Sequence, residues 1–252
     1  MTRVIVCASG KGGVGKTTLV SNLGIALAEL GIDVVAIDAN LTTPNLGFHL
    51  GVPLYPTTLH DVLKGRARMQ DAMYRHDSGL KIIPAGIGVD DIKGINARDL
   101  SNSIAELVGN TDIVLVDAAA GLGREALAAL ESADELIVVT NPELPAVTDA
   151  LKAIKLAQEV GTRIRGVVVN RIEKKIHEMT NTEISNMLGA SVIAEIPEDL
   201  SVRQAIAKRT PILYHKPHSK ASKEIRRLAA SLVGMQYKEK SRFSIFSFFR
   251  RR

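Results

Sequence analysis

The chain has 252 residues, 46% hydrophobic and 23% charged, ordinary globular usage that allows a full core and excludes a chain disordered throughout. Its single cysteine, Cys7, excludes disulfides and cysteine-ligated clusters within one chain, and no apolar run approaches the roughly 20 residues of a spanning helix. The net charge of +5 belongs to residues 236–252, where six basic residues meet one acid; the other 235 residues carry 26 of each sign, so a broadly basic nucleic-acid-binding body is not indicated.

In chain order, the first apolar, β-branched run is 4–8, where Cys7 suits the role of a small buried side chain. Runs at 34–37, 81–83, 113–116, 136–140, 166–169 and 192–196 also read as strands, and their continuous apolarity fits strands covered on both faces. Helical patterns at 16–30, 97–108, 144–160, 181–188 and 220–232 alternate with them, while 125–130 is too short to assign. The alternation predicts an α/β fold: a doubly wound, mostly parallel sheet with helices on both faces. One domain is expected over 1–235, followed by a linker and C-terminal segment over 236–252, because 236–241 is polar and leads into a different composition. The N-terminal stretch lacks the regions of a signal peptide, so the expected compartment is the cytoplasm.

Ligands of such sheets gather at the carboxyl ends of strands. Gly10-Lys11-Gly12-Gly13-Val14-Gly15-Lys16-Thr17-Thr18 stands there, between the first strand and the first long helix. That is the context of a P-loop: glycines let backbone N–H groups wrap phosphate oxygens, and the helix N-terminus adds positive potential. The expected ligands are ATP and Mg²⁺, with Lys16 against the β and γ phosphates and the Thr17 hydroxyl on the metal. Lys11 is a second ammonium in the same loop; because Lys16 already serves its own chain, Lys11 could serve a neighbouring subunit's nucleotide.

The run KGGVGKTT with that early lysine resembles the deviant Walker A ATPases, the MinD/ParA family of P-loop proteins. The resemblance implies an ATP-sandwich dimer in which Lys11 reaches across the interface. Ile37-Asp38-Ala39-Asn40 followed by Pro44-Asn45-Leu46 matches the family's first switch, and Leu115-Val116-Asp117 followed by Ala120-Gly121 its Walker B strand and second switch. By similarity, Asp117 holds Mg²⁺ through water with Asp38 beside it, although an acid ending an apolar strand also serves as a cap. Val168-Val169-Asn170-Arg171 and Ile196-Pro197-Glu198-Asp199 match the family's base pocket. An amide such as Asn170 offers the donor and acceptor an adenine edge requires, and Pro197 covers a ring face; the other readings are a strand-end turn and a helix cap at Asp199.

Position 40 departs from the family, whose members usually carry aspartate there. Among the catalytic set implied by the resemblance, Lys11, Lys16, Asp38 and Asn40, the asparagine hydrogen-bonds water but cannot take its proton. ATP binding and dimerisation with slow hydrolysis are expected, unless another group serves.

Four of the five phenylalanines, Phe243, Phe246, Phe248 and Phe249, lie in the last ten residues. On a helical wheel Ile245, Phe246, Phe248 and Phe249 share one broad face with Phe243 at its margin, while Ser244, Ser247 and Arg251 take the other, and Arg250 and Arg252 add to the basic charge around them. About ten helical residues reach only ~15 Å, enough to lie on a membrane but not to cross one. The segment is expected to bind anionic lipid peripherally at the inner face of the cell membrane, as the family's membrane-targeting helix does. A helix docking into a protein groove and stacking on single-stranded nucleic acid are the other readings. The expected function is an ATP-dependent dimerising switch that positions the division site or another cellular structure; the alternative is a ParA-like partitioning ATPase that binds nucleic acid. Asp149 matches a family surface used for regulator proteins, and an acid early in a helix also answers to the helix dipole.

Overall fold

The structure is a computed structural model that describes residues 1–52 and 54–237. The expected membrane-binding residues Phe243, Ile245, Phe246, Phe248, Phe249 and Arg250 to Arg252 therefore lie outside the described residues.

Eight strands form one sheet: β1 (Arg3–Ala8), β2 (Val34–Ala39), β3 (Tyr74–Arg75), β4 (Lys81–Ile83), β5 (Ile113–Ala118), β6 (Glu135–Thr140), β7 (Arg163–Ile172) and β8 (Val192–Pro197), in the order β3-β4-β2-β5-β1-β6-β7-β8. Every neighbouring pair is parallel except the β3–β4 edge. The helices are α1 (Lys16–Glu29), α2 (Leu46–His49), α3 (Leu59–Leu63), α4 (Leu100–Ala105), α5 (Arg124–Glu131), α6 (Leu144–Glu159), α7 (Asn181–Leu188), α8 (Leu200–Ala207), α9 (Ile212–His215) and α10 (Lys220–Leu232).

Alternation along each strand divides the core into two layers. In β1, Val4, Val6 and Ala8 face the layer covered by α3 to α7, while Ile5 and Cys7 face the layer covered by α1, α2 and α8 to α10. Helix α1 is enclosed between the sheet and α10, which is why Leu19, Val20, Leu23, Ile25 and Leu27 are all buried. Cys7 is 0% exposed, as its apolar setting predicts, and burial, helped by Asp117, pushes its thiol up to about 12.

Several elements differ from the sequence reading. Strand β7 runs on to Ile172, so Asn170 and Arg171 belong to the strand end rather than to a following turn. The single helix expected over 97–108 is instead a 3₁₀ turn, Ala97–Asp99, followed by the short α4, because the Asn96 side chain accepts the Arg98 N–H and starts a tighter turn first. Helices α2, α3 and α9 have four or five residues, too few to leave a periodic signature.

At the amino end of the strands, Glu135 opens β6 with its side chain 4% exposed. Arg3 of β1 grips both carboxylate oxygens at 2.9 and 3.0 Å and donates to the Leu232 carbonyl at the end of α10, while Arg163 of β7 approaches at 2.9 Å. Burial alone would raise Glu135, but Arg3 and Arg163 reverse that and hold it below the usual carboxylate range. Its contribution is therefore present at neutral pH and lost as pH falls through the depressed value. Glu135→Gln is expected to lower the unfolding free energy by about 1.5–3 kcal/mol at pH 7. Urea titrations at successively lower pH should show that gap closing.

Candidate functional site

The carboxyl ends of β1, β2 and β5 meet in register: Cys7 lies opposite Asp117, and Asp117 opposite Asp38. The loop leaving β1 folds over this row and enters α1 through Gly15, which has φ 95°. A side chain at Gly15 would be strained, and its Cβ would sit 2.2 Å from the Asn170 amide nitrogen. At Gly10 the constraint is packing, since a Cβ there would lie 2.1 Å from the Asp149 carbonyl oxygen of α6.

Lys16 Nζ meets Asp117 Oδ1 at 2.6 Å, with side chains 7% and 1% exposed. Asp117 Oδ2 is buried without a hydrogen-bond partner. A buried carboxylate oxygen left open in this way fits a cation or its water shell, and the Thr17 hydroxyl at the start of α1 is a hard oxygen donor of the kind Mg²⁺ takes. Asp38 accepts the Asn40 N–H at 3.2 Å and the Asn45 and Leu46 N–H groups at 2.9 Å, pinning the loop after β2 and the first turn of α2. Burial and the neighbouring Asp117 push its carboxyl up to about 7, against the opposing pull of the Leu46 amide and Lys16.

Asn40 is turned onto its own loop. Its Nδ2 donates to the Thr43 carbonyl at 2.6 Å, and its Oδ1 accepts from the Thr43 N–H and hydroxyl at 3.3 and 3.1 Å. It still lines the cavity above the phosphate loop, facing Gly12 to Thr18, together with Thr43, Asn45 and His49. His49 is not foreseeable from the sequence, because a lone histidine carries no spacing signature. Burial pushes the imidazole below its ordinary value, and Asp117 and Lys16 act on it in opposite directions.

A second cavity adjoins the first and shares Gly15, Thr18, Arg171 and Ile206 with it. Its walls bring together Asn170, Arg171, Pro197, Glu198 and Asp199, as the sequence grouped them, over an apolar floor that includes Leu19 and Ile225. This combination suits a flat ring system beside a polar phosphate channel. Two of these residues have structural work as well. Asn170 Nδ2 donates to the Val14 carbonyl at 2.7 Å, and Asp199 caps α8 by accepting the Ser201 N–H at 2.8 Å. Glu198 pairs with Arg203 at 2.9 Å and Arg171 at 3.9 Å.

Lys11 belongs to neither cavity wall. It reaches outward to Glu143, with Nζ 3.4 Å from Oε2, on the solvent side of the loop. Asp149 pairs with Lys152 on α6 at 3.0 Å.

Known proteins share this architecture. Residues 1–233 match the family described as ParA: NUBPL iron-transfer P-loop NTPase. An uncharacterized ATP-binding protein of Methanocaldococcus jannaschii is 40% identical over 237 residues, spanning 94% of this chain and 90% of its own length. The septum site-determining protein MinD of Pyrococcus horikoshii, solved in complex with Mg-ADP, is 36% identical with a TM-score of 0.89, over 92% of this chain and 96% of that one. MinD in the MinC:MinD cell division protein complex of Aquifex aeolicus gives 33% identity and a TM-score of 0.84, over 95% and 98%.

Because the folded-state value of Asp38 is raised, its ionisation opposes folding as pH climbs from the ordinary carboxylate range through about 7. In nucleotide-free protein, Asp38→Asn should flatten the fall in unfolding free energy across that window. Urea titrations of both proteins at pH 5, 6, 7 and 8 check this, and equal slopes would contradict it.

Proposed function

The chain belongs to the MinD/ParA family of P-loop NTPases, and we propose on that footing that it is an ATP-dependent dimerising switch which binds membrane through its C-terminal segment. The observation that carries the nucleotide reading is the Lys16–Asp117 pair beneath the phosphate loop, with Asp117 Oδ2 left open and an adjoining cavity lined by Asn170, Arg171 and Pro197. When phosphates enter, Lys16 exchanges one anionic partner for another, and Gly12 to Thr18 supply backbone N–H groups around them. Thr17, Asp38 and Asp117 are the residues that would hold Mg²⁺, which supplies neutralisation of the phosphate charge. Asn170, Arg171, Pro197, Glu198 and Asp199 are the residues that would hold the base.

Lys11, outside its own chain's cavities, serves the nucleotide of the partner across a dimer. The iron-transfer description of the matched family does not extend to a cysteine-held cluster here, since Cys7 is the only cysteine and is 0% exposed. Asn40, with no group that takes up a proton and its amide bonded to Thr43, makes hydrolysis slow.

Among the described residues no helix is long and apolar enough to cross a membrane. A basic, phenylalanine-rich segment of about ten residues binds a lipid surface weakly and reversibly. ATP-driven dimerisation joins two such segments and strengthens attachment ~10²-fold or more through effective concentration. This makes a cytoplasmic protein that is peripheral at the inner face of the membrane in its ATP state and positions the division site or another structure there. The face of α6 at Asp149 is proposed for a regulator protein; the Aquifex relative is itself solved in a complex with MinC.

A second reading, ParA-like partitioning on nucleic acid, draws on residues 203–227, which hold eight basic residues against one acid. Arg203, Arg226 and Arg227 of that set are already paired with Glu198, Glu29 and Glu224.

Two measurements test the proposal. Asn40→Asp should raise steady-state ATP turnover roughly tenfold or more, and an unchanged rate removes Asn40 as the cause of slow hydrolysis. Deleting 241–252 should abolish ATP-dependent co-sedimentation with anionic liposomes while leaving ATP affinity intact; equal sedimentation ends the membrane reading, and retained binding to DNA favours the second one.

A further inference from the structure

The loop after β2 is held from two sides. Asp38 takes its amides from the cavity side, and a second set of contacts grips the peptide groups of Leu41 from behind. Glu125 Oε2 accepts the Leu41 N–H at 3.0 Å and the Thr42 N–H at 3.4 Å, and Glu125 Oε1 accepts the Thr42 hydroxyl. On the other side of the Leu41–Thr42 peptide group, His60 Nε2 lies 3.1 Å from the Leu41 carbonyl oxygen. The tautomer follows from the other ring nitrogen: the Gly86 N–H donates to Nδ1 at 2.8 Å, so Nε2 carries the hydrogen and donates to Leu41. Leu41 and His60 are 3% and 1% exposed, which makes this grip a buried one.

Glu125 occupies the first turn of α5, where an acid is favoured by the helix dipole whatever else it does. Its oxygens, however, are committed to a loop 83 and 84 residues earlier in the chain. Helix α5 begins just after the loop that leaves β5 past Asp117 and Ala118. That loop touches the phosphate loop directly, with the Gly121 N–H donating to the Ser9 carbonyl at 3.0 Å. A displacement of the β5 loop would reach the start of α5 and, through the Glu125 carboxylate, Leu41 and Thr42, immediately after Asn40.

We infer that Glu125 is a positioning residue that couples the loop after β5 to the loop after β2, so that the two loops flanking the phosphates rearrange as one unit, with His60 as the fixed stop behind Leu41. The contacts are charge-assisted and satisfy three donors with one carboxylate, which makes them stronger than neutral bonds of the same geometry. The inference rests on the nucleotide reading above.

The test compares the full chain with Glu125→Ala, Glu125→Gln and Thr42→Val. ATP affinity is measured by fluorescence titration, hydrolysis under single-turnover conditions, and hydrogen exchange over 40–46 with ATP and with ADP bound. In the unaltered protein, exchange over 40–46 should differ between the two nucleotides. Glu125→Ala should erase that difference and slow hydrolysis about tenfold while shifting ATP affinity less than threefold. Glu125→Gln keeps an acceptor oxygen and should retain an intermediate rate. Thr42→Val removes one contact without touching α5, and decides the matter if Glu125→Ala fails to fold: it should reduce the nucleotide-dependent difference. A difference and a rate like those of the unaltered protein in Glu125→Ala, or in Thr42→Val if the former is unfolded, overturn the inference. So does a parallel loss of affinity and rate, which marks a merely structural contact. Absence of ATP binding by the unaltered chain overturns instead the reading of the site.

Discussion

An ammonium and a carboxylate held 2.6 Å apart with almost no access to water, Lys16 against Asp117, organise the carboxyl end of this sheet. Removing both charges from water costs several kcal/mol, and a pair of this kind often adds little net stability. Its arrangement makes sense as a poised state. One ammonium stands at the mouth of a helix N-terminus, satisfied by an anion; under the proposed function it would exchange that anion for phosphate, leaving Asp117, whose other oxygen is already open, to the cation. The surrounding chemistry follows from the same pair: the Cys7 thiol, the Asp38 carboxyl and the His49 ring all feel both charges.

Continuous apolar strands gave a clear signal because both faces of this sheet are covered, leaving no solvent face to interrupt the pattern. The phosphate loop was legible for a related reason: its glycines are demanded by backbone geometry at Gly15 and by contact with α6 at Gly10, so the sequence carries the constraint locally. The grouping of Asn170 with Pro197 was legible only through family resemblance, and the extent of β7 was not. Nothing in the sequence foretold that the Asn170 amide would be spent on the Val14 carbonyl 156 residues away.

What stayed hidden shares one physical character. The positions of His49, His60 and Glu125 depend on where a four-residue helix, a buried ring and a helix start come to lie in space. Residue type and spacing do not encode such positions. Glu125 in particular reads in sequence as an ordinary first-turn acid, since the dipole gives that position a sufficient reason of its own.

The glycine at position 10 has a mechanical consequence. With no Cβ to hold it off, α6 lies against the start of the phosphate loop at backbone contact, around the Asp149 carbonyl. Side chains between two elements absorb small displacements by changing rotamer, but backbone against backbone has no such slack. A shift of α6 at Asp149, the residue paired with Lys152, therefore meets the cradle with little slack between them. Whatever leans on that helix bears on the loop at one remove.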